Sequence, residues 1–399
     1  MASTERRTRT AGLDGLRALA ALSVVCMHVW LYGLPDPNRP TRSTVLESAT
    51  FELRLGLVFF FVLSGYLLYR SFAAAALRGE RPVDLGRYAR RRVARIVPAY
   101  YLAIAGAFVL LWGQRGSPGV RLPDGSGLPL FLVFGQNYSH GTFFTLSPVS
   151  WTLCVEAAFY VVLPLIGWAA FRFARRSVKG QALLIAGIAG VGLVWSAVVY
   201  KGTFDLILGK ALPAYLPHFA AGMLVALLAE RARVRDAPPF GVAATTALVA
   251  GGFAVAIADG VWHAVERIPD GDPFISVFGD VPAAIGFAAV VAAVVLGRGP
   301  AVNWTRARPL AWVGLISYGV YLWHVPLILF ARSNGFLPSG YLPALATVLP
   351  AVLAVAAASW YLVERPLLSR AERPRRRGPS EPRRGATSSD ARLEAHAAP

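Results

Sequence analysis

The chain has 399 residues, 55% of them hydrophobic and only 16% charged, where a typical soluble domain carries roughly a quarter charged residues; its mean hydropathy is +0.50. The apolar residues come in blocks long enough to cross a bilayer as helices, which excludes a soluble enzyme, and a count of two cysteines excludes a disulfide scaffold. The formal net charge of +18 is spread over alternate loops instead of one surface, so it speaks for membrane topology and against a nucleic-acid partner.

About ten spans are predicted from block length, over residues 11–32, 54–70, 97–113, 151–171, 182–199, 212–229, 240–258, 280–297, 310–331 and 341–363. The fold class is therefore an all-α polytopic membrane protein. Arg6, Arg7 and Arg9 precede the first span, and a run from Arg70 to Arg95 follows the second. Arg172 to Lys179, Arg231 to Arg235, and Arg298 to Arg308 follow the fourth, sixth and eighth. The opposite loops hold scattered cations such as Arg39, Arg115, Lys201 and Arg332. By the positive-inside rule both termini are expected in the cytoplasm.

Three regions result: a basic cytoplasmic N-terminus over 1–10, a membrane domain over 11–368, and a basic tail over 369–399. The tail is rich in Pro, Gly, Ser and Arg without apolar periodicity, so disorder is expected there; its arginines fix topology or meet anionic lipid headgroups. The triplet "ALA" at 18–20 lies inside the first apolar run instead of after it, which argues against a cleaved leader. Cys26 and Cys154 both fall in predicted spans and read as small buried hydrophobes, with no sign of a metal site. No internal repeat and no appended soluble catalytic domain is visible.

Ionisable side chains are costly in hydrocarbon, so those inside spans are functional candidates and should face the bundle interior. In "LDGLRALAALSVVCMHVW" (13–30), Arg17 and His28 are 11 residues apart, which at about 100° per residue puts them within roughly 20° of each other and about 16 Å apart along the axis. Asp14 lies on the same side, three residues before Arg17. The bland account is an Asp14–Arg17 pair at the membrane edge and a His28 that caps a neighbouring carbonyl. The second span holds Ser64 and Gly65, a pair suited to close helix packing. The fourth, "SWTLCVEAAFYVVLPL", carries Glu156 near the expected depth of His28, with Tyr160 one turn on. In "LISYGVYLWHVPL", Ser317, Tyr321 and His324 share a face, although a hydrogen-bonded structural histidine accounts equally well for His324. His28, Glu156 and His324 are thus expected to converge in the outer half of the bundle, with arginines crowding the inner surface. Arg92 and Arg95 stand at the mouth of the third span, and guanidinium groups suit phosphate oxygens.

These strings, in order with "FFFVLSGYLLYR", "YARRRVARIVPAYY" and the closing "VERPL" at 363–367, resemble the acyltransferase-3 family of integral-membrane O-acyltransferases. The ordered set runs over 13–367, nearly all of the expected membrane domain. The resemblance implies transfer of an acyl group, commonly acetyl, from cytoplasmic acyl-CoA to a hydroxyl of a carbohydrate, cell-surface glycan or glycosylated metabolite. It implies an enzyme that uses acyl-CoA as donor substrate and holds no bound cofactor; the shortage of Lys relative to Arg, with abundant Ala and Gly, points to a GC-rich bacterial genome and so to a bacterial plasma membrane. The family's essential histidine near the outer end of the first span matches His28, and its inner-end arginine matches Arg17. Its basic acyl-CoA loop corresponds to Arg81 to Arg95, with Arg81 and Arg92 fitting a two-cation pattern. Family members often carry a second, hydrolase-like domain, which is not seen in this chain.

The chemistry is sound from first principles. A hydroxyl attacking a thioester must lose its proton, which neutral imidazole can take near pH 7. On this reading Glu156 orients His28 or stabilises its protonated form, while Arg17, Arg81, Arg92 and Arg95 hold the donor's phosphates. A covalent acyl group on His28 or Ser64 is a variant of the scheme. The alternative from another class is a proton-coupled secondary transporter, with His28, Glu156 and His324 as the relay.

Overall fold

The computed structural model describes residues 2–38, 40, 42, 44–265 and 277–372. Among these residues the elements are helices, in chain order α1 (Ala2–Gly33), α2 (Val45–Glu52), α3 (Gly56–Arg78), α4 (Leu85–Leu111), α5 (Leu128–Leu132), α6 (Trp151–Phe173), α7 (Val178–Tyr200), α8 (Leu212–Val234), α9 (Val242–Val265), α10 (Val281–Leu296), α11 (Pro300–Asn303), α12 (Arg308–Ser333), α13 (Tyr341–Ser359) and α14 (Arg365–Glu372). Nine stretches of the described residues are long and apolar enough to cross a membrane, and α10 is an apolar helix of 16 residues. Each of the ten expected spans falls on one of these helices, and the chain is a multi-pass membrane protein.

Several boundaries differ from expectation: the helix of the first span starts at Ala2 instead of 11, and that of the second runs to Arg78 instead of 70. The third span begins as a helix at Leu85 instead of 97, because Asp84 caps it by accepting from the Arg87 N–H at 3.0 Å. Arginine is a good helix former, so the basic stretch continues the helix out of the membrane. Upstream of the second span, Thr44 and Glu47 form a reciprocal capping box that starts α2. At the far end, α14 carries helix through Glu372 where the disordered tail was expected from 369; the remainder of that tail lies outside the described residues.

Without a strong hydrophobic force between helices in lipid, close backbone approach supplies the packing. The α3–α8 crossing depends on two glycines: a Cβ at Gly65 or Gly222 collides with the carbonyl oxygen of Phe219 or Val62, respectively. The α1–α12 crossing is similarly close, with Gly314 against the carbonyl of Asp14. Two main buried clusters follow, one around α3, α6, α8 and α10, the other around α1, α12 and α13. Between them, α1, α3, α4, α6 and α12 enclose the polar side chains that composition had flagged.

Candidate active site

Two cavities lie along these helices. A narrow one of about 120 Å³ is lined by Arg17, Ser64, Arg92, Arg95, Glu156, Tyr160, Ser317 and Tyr318. A wider one of about 440 Å³ is lined by His28, Arg54, Trp151, Lys210, Tyr215 and Asp280 among others. Leu57 and Tyr321 line both and form the wall between them. The Tyr321 hydroxyl is fixed in that wall, donating to Val149 O at 3.1 Å and lying 2.8 Å from Thr152 Oγ1.

In the wider cavity the hydrogen bonds decide which nitrogen of His28 is bare. His324, fully buried on α12, has Nδ1 2.7 Å from Tyr321 O and 3.2 Å from Val320 O. A carbonyl can only accept, so that nitrogen carries the proton and His324 Nε2 has a lone pair. His28 Nδ1 lies 2.9 Å from Val24 O and 3.2 Å from His324 Nε2. Both neighbours are acceptors, so the His28 Nδ1 proton lies between them. His28 Nε2 is then unprotonated and has no hydrogen-bond partner among the described residues. The ring packs edge-on against His324 and stacks on Tyr32, with centroids 4.9 and 6.0 Å away.

The narrow cavity is a cluster of guanidinium and hydroxyl groups. Asp14 and Arg17 pair at 4.0 Å, one turn apart on α1. Arg95 is held 3.7 Å from Glu364 and against the rings of Trp360 and Tyr318, at 5.1 and 5.9 Å. Glu364 reaches it because one π turn, Trp360–Glu364, interrupts the helix just before Pro366; proline has no N–H and crowds the preceding turn, which favours such a bulge. Arg92 lies over Tyr88 at 5.9 Å, and its buried Nε has no hydrogen-bond partner. Ser64 Oγ and Tyr160 OH both donate to Glu156 Oε1, at 2.8 and 2.5 Å. Ser317 Oγ is fully buried without a partner.

The structure therefore brings together Arg17, Arg92, Arg95, Ser64, Glu156, Tyr160, Ser317 and Tyr321, and separately His28 with His324. It corrects the expected convergence of Glu156 on His28. Thr152, Glu156 and Tyr160, spaced four apart, face the narrow cavity, whereas Trp151 faces the wider one. One residue turns a helix by 100°, so equal depth did not mean a shared cavity. Glu156 is bound by Ser64 and Tyr160, and His324 takes the place at His28 that Glu156 was expected to fill. Arg81 stands exposed in the connection before α4 and lines neither cavity. Gly65 keeps the packing role expected of the Ser-Gly pair; Ser64 serves Glu156 instead.

Sequence reasoning missed Arg54, Trp151, Lys210, Tyr215 and Asp280 of the wider cavity, and Glu364 behind Arg95. Arg54 Nη1 donates to both oxygens of Asp280 at 2.9 Å, and Nη2 lies 3.0 Å from Glu52. Asp259, His263 and Asp280 each place one ligand atom within 4.8 Å of the others, but Arg54 already supplies a cation at Asp280. The signal was present in part: Arg54 and Asp280 mark the ends of two apolar blocks, where charges ordinarily read as interfacial anchors.

A family model described as an acyltransferase domain, acyltransferase-3, matches residues 10–364. The chain is 25% identical to an O-acetyltransferase OatA of Staphylococcus aureus, over 89% of its own length and 57% of the relative's. It is 26% identical to a putative peptidoglycan O-acetyltransferase, YrhL, of Bacillus subtilis, over 82% of its length and 50% of the relative's. A peptidoglycan O-acetyltransferase OatA of Listeria monocytogenes is also 26% identical, over 82% and 51%. The chain thus spans about half the length of the curated relatives it matches. No solved structure matches it. With its helices, its arginine-lined cavity and its first-span histidine all in the order the motifs require, the chain belongs to the acyltransferase-3 family.

Proposed function

We propose that the chain is a membrane O-acyltransferase that moves an acyl group, acetyl in the simplest case, from acyl-CoA to a hydroxyl of a carbohydrate or glycosylated acceptor. The observation that carries this reading is the bare Nε2 of His28 in the wider cavity, fixed by acceptors on both sides of Nδ1. The donor's phosphates lie at the basic face around α4, and its slender acyl-bearing end enters the narrow cavity past Arg17, Arg92 and Arg95. The acceptor lies in the wider cavity, and the two meet at the Tyr321 wall.

In the reaction the acceptor oxygen attacks the thioester carbonyl carbon while His28 Nε2 takes the hydroxyl proton. The carbon–sulfur bond breaks, and the proton passes to the departing CoA thiolate. His324 holds the imidazole ring in its reactive tautomer, a positioning role. The basic face is cytoplasmic by the positive-inside rule, which places both termini inside and the acceptor outside, in a bacterial plasma membrane. The relatives' names point to a cell-wall glycan as one acceptor class.

The test supplies labelled acetyl-CoA to sealed vesicles with the basic face outward. Acceptor-dependent CoA release, with label in a hydroxylamine-labile ester, is expected; solute movement without CoA turnover contradicts the proposal and favours the transporter.

A further inference from the structure

The wider cavity holds more charge than a neutral sugar requires. Arg54, the cation on its α3 side, is neutralised by Asp280, and Glu52, which Arg54 also touches, pairs with Arg42 at 3.5 Å. Arg121 stands exposed at the mouth and gives a hydrogen bond to Asn38 Oδ1 at 2.8 Å. Lys210 is different. Its ammonium lies 4.9 Å from the Trp151 ring and 5.9 Å from the Tyr215 ring and hydrogen-bonds the Tyr215 side chain; among the described residues Asp280 attracts it from beyond ion-pair distance, and that carboxylate is already bound to Arg54.

Its position is built into the fold. Asn137, itself buried, donates to Lys210 O at 3.0 Å and to Trp151 O at 2.7 Å, tying the lysine to the start of α6. Trp195 Nε1 donates to Leu208 O at 3.0 Å, two residues before it. A lysine stem free to wave into solvent needs none of these ties. Here the ammonium is held over an aromatic face in the cavity that contains His28.

We infer that Lys210 reads a carboxylate on the acceptor, so that the preferred substrate is an acidic sugar whose ring lies against Trp151 and whose hydroxyl faces His28. An ammonium in a partly dry cavity, with no carboxylate in ion-pair contact among the described residues and its one attracting carboxylate bound to Arg54, favours an anion over a neutral group. One unmatched lysine balances one negative charge, which fits a carboxylate and leaves a dianionic phosphate under-neutralised; phosphate sites favour the bidentate fork of arginine. Arg54 cannot serve, because its guanidinium already spans Asp280. The inference rests on the wider cavity being the acceptor's.

The test measures binding to the full chain in detergent by calorimetry, with a uronic-acid trisaccharide, its methyl ester and a hexose phosphate as probes. Wild type is expected to bind the acid at least about ten-fold more tightly than the ester, the scale of a charge-assisted hydrogen bond. In Lys210→Met that ratio falls to near one, and Lys210→Arg restores most of it. Equal binding of acid and ester, a ratio that survives in Lys210→Met, no binding, or tighter binding of the phosphate overturns the inference. The two readings fail separately. Lost discrimination alongside His28-dependent transfer removes the carboxylate alone, whereas discrimination without His28-dependent transfer removes the proposed reaction.

Discussion

His28 is defined by what surrounds its other nitrogen. An imidazole in a helix has a carbonyl four residues back within reach, as Val24 O is here at 2.9 Å, and that contact alone fixes the tautomer. The neighbouring His324 Nε2 adds a second acceptor and fixes the ring's orientation from a different helix. His324→Phe is expected to lower kcat about ten-fold or more, within the range of a misaligned general base, with little change in the KM for acyl-CoA. His324→Gln, whose amide oxygen can still accept, should recover part of the loss. Steady-state kinetics on both variants checks this, since a purely structural defect lowers the amount of folded protein without separating kcat from KM. The Asp14, Arg17 and His28 alignment was legible because all three lie on one helix and helical periodicity is enough. That His28 and His324, 296 positions apart in the chain, meet was expected from their depth; the hydrogen bond between the rings was not, since it depends on the rotation of α12 against α1.

At the scale of elements, the short π turn at Trp360–Glu364 does more than end α13. It turns a fully buried carboxylate, Glu364, toward Arg95. Glu364→Gln keeps the shape and removes the charge. It is expected to raise the KM for acyl-CoA several-fold at nearly constant kcat, because Arg95 loses orientation while His28 is untouched; donor titration at saturating acceptor checks it. The α3–α8 crossing makes a different demand. Gly222→Val forces a side chain into the Val62 carbonyl, and overpacking of this kind destabilises by about 1–3 kcal/mol. A lowered thermal midpoint in detergent is expected, with full-length protein still inserted. The "VERPL" string flagged the first of these elements, though its role at Arg95 needed the bulge to be seen. For Gly222 nothing in the local pattern distinguishes it from glycines that meet open space, such as Gly187 and Gly190.

Across the whole molecule, two cavities of unequal width share the wall made by Leu57 and Tyr321. That arrangement suits a reaction whose donor and acceptor arrive from opposite sides of a bilayer and meet once. The ten apolar blocks were readable because span length is set by bilayer thickness. The division of polar residues between cavities was not readable, because Trp151 and Thr152 are adjacent in sequence and yet face different chambers. Depth along a span predicts level; only packing decides direction. Lys210, Arg54 and Asp280 escaped for a related reason, as each stands at the edge of an apolar block, where charge is the rule. The central claim is that His28 is the base for acyl transfer, and its most direct test is acceptor-dependent release of CoA from acetyl-CoA by His28→Ala in vesicles matched for inserted protein. A loss of about 10²–10⁴-fold, the range for removal of a general base, is the result expected, with the thermal midpoint unchanged within about a degree or two; turnover near that of the wild type contradicts the account.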